Sequence, residues 1–139
     1  MLLTTGRYRV RTKELRSAMD AYVQAPSRQF AEEVGDAFRK RGFIAKTHVA
    51  KIGALRIEQG RGRDLGDVDV LVADLVTRRV IAIECKDLQL DRMPHEMSTD
   101  LQALFVGSKA KASAQEKHLA RLGWLEAHRV EVVRWLVGT

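Results

Sequence analysis

The sequence predicts an α/β sandwich in which a mainly antiparallel sheet, carrying one prominent hairpin, is flanked by helices. Three observations lead there. Segments 67–74 and 79–86 are strand-length runs rich in valine and isoleucine, separated only by a short turn at 75–78. The segments before and after them space their apolar residues as amphipathic helices do. The 139 residues, 45% hydrophobic and without repeat, low-complexity tract or linker, fit one domain with its own core. Residues 1–25 read as a helical extension and 26–139 as the core of that domain.

Each element has its own signal. Leu15, Met19, Tyr22 and Val23 form one stripe of a helix over 11–24, which Pro26-Ser27 is expected to break. Ser27 suits the N-cap of a second helix, 28–41, with Phe30, Val34, Ala37 and Phe38 on one face and Gly42 as its stop. Residues 43–51 and 54–58 read as strands, and Gly60–Gly66 as a charged, flexible loop. Beyond the hairpin, Pro94 opens a helix to about Val106, and 114–127 forms another carrying Leu119, Leu122 and Leu125. Residues 130–137 are apolar and fit strand or helix equally.

Composition excludes several classes. One cysteine rules out an intramolecular disulfide framework and a multi-Cys zinc module. No run approaches the ~18 apolar residues of a membrane span. Met1–Gly6 is too short for the apolar stretch of a secretory signal, so a cytoplasmic protein with a reduced thiol is expected. No Gly-rich P-loop occurs, so nothing indicates ATP-driven activity. His48, His95 and His128 lack zinc-site spacing and read as ordinary histidines.

Charge is unevenly placed. The net +6 divides into 14 Lys+Arg against 6 Asp+Glu in residues 1–63, and 10 against 12 in residues 64–139. Nine of those acids fall in residues 64–100. Basic surfaces at Arg7–Lys13, Arg39–Arg41 and Arg61–Arg63 suit a polyanion, while the acidic stretch suits a divalent cation or a merely solvated surface.

The hairpin sharpens this. On its first strand Val68, Val70 and Val72 point one way, Asp67 and Asp69 the other. On its second, Ile81, Ile83 and Cys85 face the core, and Glu84 and Lys86 face away. A turn centred between Val76 and Thr77 sets Asp69 opposite Glu84 and Asp67 opposite Lys86. Two carboxylates so placed repel unless a cation lies between them, and a hard ion such as Mg²⁺, which keeps waters and phosphate in its shell, is the expected occupant. Each fragment alone is also ordinary turn or edge chemistry; their juxtaposition is the informative part. Cys85 reads as a small buried hydrophobe, not a nucleophile.

Gly66-Asp67-Val68-Asp69-Val70-Leu71, a short hairpin and Ile83-Glu84-Cys85-Lys86 together resemble the PD-(D/E)xK nuclease superfamily. The resemblance covers residues 28–137 at the level of motif and element order. It implies a restriction-endonuclease-like sandwich: helix, three-strand meander, helix and a further strand in a central mixed sheet. It further implies Mg²⁺-dependent hydrolysis of DNA phosphodiesters by a metal-activated water, with Mn²⁺ also supporting activity and RNA not distinguished from DNA. Asp69 and Glu84 would be metal ligands, with the Cys85 backbone carbonyl completing the shell and Lys86 assisting the water. Val68 stands where the motif's nominal proline would be. Many members place a glutamate on the first core helix; of Glu32 and Glu33, the helical wheel favours Glu33, beside the stripe of Phe30, Val34 and Phe38. Asp67 either joins the metal or pairs with Lys86.

Arg92–Glu96 and Gln115–Trp124 resemble a group within the same superfamily. There Lys111, Lys117, His118 and Arg121 would contact phosphates, or else form a basic face around a core tryptophan. Arg61 and Arg63 would track the polynucleotide backbone. Two further readings stand beside the nuclease: a catalytically silent nuclease-fold module that binds nucleic acid or protein, and a structural piece of a larger assembly. The chain holds little beyond a catalytic core, so specificity is expected from a homodimer or another partner.

Overall fold

Two apolar clusters, one on each face of a three-stranded antiparallel sheet, organise the protein. The computed structural model describes residues 13–60, 62–86 and 93–138, with no side-chain detail for 14–27. The elements run α1 (Lys13–Lys40), β1 (Ile44–Val49), β2 (Lys51–Ile52), β3 (Leu55–Arg56), β4 (Glu58–Gln59), β5 (Arg63–Asp64), β6 (Val68–Asp74), β7 (Arg79–Ile83), α2 (Pro94–Phe105), α3 (Ala114–Ala127) and α4 (Arg129–Val137). The main sheet has the order β1-β6-β7, and β2-β3 and β4-β5 are separate two-stranded ribbons.

β6 lies at the centre because it is apolar on both sides. Val70 and Val72 pack with Ala31, Ala45 and Cys85 beneath α1. Leu71 and Ala73 pack with Leu125, Val132 and Leu136 of α3 and α4. The alternation read from the sequence therefore holds for Val70 and Val72, but the opposite face is covered as well, not solvated. Val68 departs from the expected face and joins Leu71 and Ala73. At that level His48 adopts φ +52, and the pairing passes from Thr47↔Val70 to Val49↔Val68, omitting His48 and Asp69.

Several elements differ from their sequence expectation. α1 continues through Pro26 across the boundary expected at 25–26. A proline costs an interior helix ~3 kcal/mol through one lost hydrogen bond and a local clash, which apolar packing on either side can outweigh. Within the expected loop Gly60–Gly66, Arg63 and Asp64 form β5, which pairs with β4 through Glu58↔Asp64 and Gln59↔Arg63. The second hairpin strand ends at Ile83, not at residue 86. Residues 130–137 lie in α4, so the further strand is absent from that place. Among the described residues the sheet pairings are all antiparallel, not mixed. A helix suits these residues because Val132 and Leu136, four apart, reach the core together. Trp135 on the same helix lies under Lys46 of β1, whose ammonium is 3.9 Å from the ring centroid.

The first helix sits close to the sheet because of Gly35. A Cβ there would lie 2.7 Å from the Thr47 methyl carbon of β1, closer than packed carbons tolerate. Gly35→Ala sets two effects against each other: helix propensity favours alanine by about 1 kcal/mol. Overpacking against a stiff β-branched side chain costs about 1–3 kcal/mol. The second is expected to win, so urea denaturation of Gly35→Ala should show a lower midpoint at an unchanged slope.

Candidate active site

The β6–β7 hairpin has the register that the sequence implies. Val70 pairs with Ile83, Val72 with Ile81 and Asp74 with Arg79. The turn is held by the Asp74 carboxylate, which accepts from the backbone N–H groups of Val76 and Thr77. One step beyond the last ladder pair, Asp69 comes level with Glu84. Here the carboxylate replaces a strand partner: Asp69 Oδ2 accepts the Cys85 N–H at 2.7 Å. Burial pushes the Asp69 carboxyl above its ordinary value; the Cys85 N–H opposes that shift and the nearby Glu84 charge adds to it. The Cys85 thiol is also pushed up, first by burial and then by Asp69 and Glu84. A thiol held protonated and buried against Val70 and Val72 is a core group, as expected from its place in the strand.

Glu84 is bound on both oxygens. Its Oε2 accepts from Arg121 Nη1 at 2.8 Å, and Lys86 Nζ lies 2.9 Å from Oε1. His118 Nδ1 stands 3.9 Å from Oε2, buried and without a hydrogen-bond partner. The carboxylate pair is therefore not compensated only by an external cation, as its cross-strand placement suggested. Side chains at the end of the hairpin and on α3 carry much of the compensation. The expected Asp67–Lys86 pairing is replaced too: Lys86 turns to Glu84, and Asp67 Oδ2 lies 3.9 Å from His48 Nδ1.

Arg121 is 7% exposed and makes a second bond, from Nε to the Leu65 carbonyl at 2.8 Å. That carbonyl precedes Gly66, whose φ of +77° suits glycine and whose added Cβ would come 3.3 Å from Arg121 Nη2. Arginine thus ties the turn before β6 to the residue that follows β7. The spacing Lys117-His118-x-x-Arg121 placed this arginine near the site, but offered no signal that it would be buried.

On the first helix the two glutamates separate. Glu33 is exposed and accepts from Gln29 Nε2 at 3.3 Å. Glu32 turns to β1, where it accepts from the Thr47 hydroxyl and lies 3.3 Å from His48 Nε2. Glu32, His48 and Asp67 thereby form a chain of polar contacts at the start of β6. Sequence reading passed over His48 because its neighbours here come from α1 and β6, distant along the chain.

The basic residues gather around α3. A cleft of about 370 Å³ is lined by Glu84, Lys86, Lys111, Lys117 and Arg121, with Asp100 across from them. A second, of about 420 Å³, holds Arg63 and Gln59 on one side and shares Lys117 and Arg121 with the first. Five residues singled out from the sequence thus meet in the first cleft, and Arg63 faces the second. Arg61 lies outside the described residues.

No three His, Cys, Asp or Glu side chains among the described residues are grouped to hold a metal ion. The acids that remain are a carboxylate pair, Asp69 and Glu84. This suits a hard cation that keeps most of its water and takes one or two protein carboxylates, as Mg²⁺ does. The repulsion that Glu84 exerts on Asp69 is the observation such a cation would relieve. No helix among the described residues is long and apolar enough to cross a membrane. Comparisons with family models, curated proteins and solved structures yield no match for this chain.

Gly66→Ala is expected to lower thermal stability by about 1–2 kcal/mol, since alanine is strained in the left-handed region. It should also press on the Arg121 guanidinium. A calorimetric scan beside the exposed-site control Gly60→Ala, where a Cβ meets nothing within 4 Å, separates that effect from a general loss of glycine.

Proposed function

We propose that this protein is a metal-dependent endonuclease of DNA, built on a restriction-endonuclease-like core of the PD-(D/E)xK kind. The observation that carries the reading is the meeting of Asp69, Glu84 and Lys86 at one hairpin end, beside a cleft lined by Lys111 and Lys117. The order of helix, three-strand antiparallel meander and helix agrees with that core. The helix at 129–137, in place of a further strand, departs from it.

Asp69 and Glu84, with the Cys85 carbonyl, would hold Mg²⁺ or Mn²⁺, which when bound supplies water activation and charge stabilisation at the phosphoryl group. Lys86, exposed and 2.9 Å from Glu84 Oε1, carries a mobile ammonium able to orient a water or meet a phosphoryl oxygen. Lys111 and Lys117 would bind flanking phosphates, and Arg63 would extend that track along the second cleft. Glu32 ties α1 to β1 through Thr47 and His48, and His48 lies 3.9 Å from Asp67 at the entry to β6. Sequence or structure specificity would come from a second copy or another chain.

A second reading has its own support. Glu84 already has Arg121 on one oxygen and Lys86 on the other. Such self-neutralisation suits a silent nuclease-fold module that binds nucleic acid without cutting it.

Incubation of supercoiled plasmid with Mg²⁺ or Mn²⁺ separates the two. The endonuclease reading expects nicking or linearisation that falls about 10²–10⁴-fold in Asp69→Ala and in Lys86→Ala. Cleavage retained in both variants removes these residues from the site, and binding without cleavage by the unsubstituted chain favours the silent module. In either case affinity should fall steeply with salt, and Lys117→Ala should reduce the slope of log affinity against log salt by about 0.9 on duplex DNA. A flat salt response would count against a polyanion partner altogether.

A further inference from the structure

Arg121 differs from the other bases of the cleft in being buried. Only 7% of it is exposed, whereas Lys86 and Lys111 are exposed. A base that meets a polymer phosphate has to present its donors to solvent, whereas Arg121, although it borders both clefts, has two of its nitrogens engaged within the protein. Nε donates to the Leu65 carbonyl and Nη1 to Glu84 Oε2, each at 2.8 Å. Leu65 is itself fixed, its N–H donating to Ile57 O at 3.3 Å. One planar side chain from α3 therefore joins two places: the turn entering β6, the strand of Asp69, and the residue leaving β7. A guanidinium holds two acceptors in fixed directions, which the single ammonium of lysine does not.

Resting on the reading of Asp69 and Glu84 as cation ligands, we infer that Arg121 is a positioning residue. It sets the Glu84 carboxylate relative to the strand that carries Asp69 and does not touch substrate. This removes Arg121 from the phosphate-contacting set and leaves that role to Lys111 and Lys117. It also divides the two oxygens of Glu84. Oε2 stays with the buried arginine, while Oε1 faces Lys86, an exposed cation that can be displaced.

The test uses the full chain with Arg121→Met, Arg121→Lys and Lys117→Ala. Two quantities are measured: Mn²⁺ affinity by electron paramagnetic resonance, and duplex DNA affinity against salt in the presence of chelator. Arg121→Met should weaken Mn²⁺ binding about tenfold or more, the loss usual when the partner of a metal ligand is removed. Arg121→Lys should recover part of that affinity, and neither variant should change the salt slope. Lys117→Ala should do the reverse, lowering the slope by about 0.9 with Mn²⁺ affinity intact.

Unchanged Mn²⁺ affinity in Arg121→Met, or a salt slope that falls as it does in Lys117→Ala, overturns the inference. If Arg121→Met does not fold, Arg121→Lys decides, because its Mn²⁺ affinity must drop severalfold at a constant slope. An unsubstituted chain that binds no Mn²⁺ brings down the cation reading, and this inference with it. An unsubstituted chain that binds Mn²⁺, with arginine variants that match it, brings down the positioning role alone.

Discussion

The burial of β6 on both faces is the constraint on which the rest depends. Val70, Leu71 and Val72 are wholly inaccessible, with α1 packed on one side and α3 and α4 on the other. A strand enclosed in this way has room for charge chiefly towards its ends, because an unpaired buried carboxylate is costly. Asp74 at one end caps the turn. Asp69, towards the other, has no turn to cap. It accepts the Cys85 N–H and stands beside a second acid. The fold therefore confines candidate chemistry to one end of the sheet, where α3 brings its bases.

Much of that arrangement was legible in the sequence, for local reasons. The hairpin register follows from turn length and strand period, and the structure keeps that register from Val70↔Ile83 to Asp74↔Arg79, the ladder ending before Asp69 and Glu84. α3 starts where Ser113 caps it, its side chain accepting from the Glu116 N–H, and ends at Ala127 as its periodicity indicated. The candidate residues Asp69, Glu84 and Lys86 lie at or just beyond the end of this ladder, in two short segments close together in sequence.

What escaped the sequence depends on contacts between distant segments. The wheel that favours Glu33 is drawn on Phe30, Val34, Ala37 and Phe38, but the face that packs on the sheet carries Ala31, Val34 and Phe38, with Phe30 and Ala37 exposed, and Glu32 is the acid that meets the Thr47 hydroxyl. Pro26 suggests a stop by local preference alone, yet α1 runs on from Lys13 to Lys40. The run 130–137 has no strong period, so only the position of Val132 and Leu136 in the core decides for helix. Arg121 read as a surface base because arginine usually is one; its burial rests on a carbonyl 56 residues away in sequence.

These long-range contacts alter the electrostatics of the hairpin. A cross-strand acid pair looks symmetrical in sequence, yet the folded protein treats its members differently. Glu84 receives two cationic partners, one buried and one exposed. Asp69 receives a neutral backbone donor and a share of the field of Lys86, while burial, Glu84 and Asp67 all oppose its charge. The electrostatic deficit of the pair is therefore concentrated on Asp69. At the proposed cation site an ion would therefore gain most beside that carboxylate, while Glu84 is held by an arginine that is itself fixed to the turn entering β6.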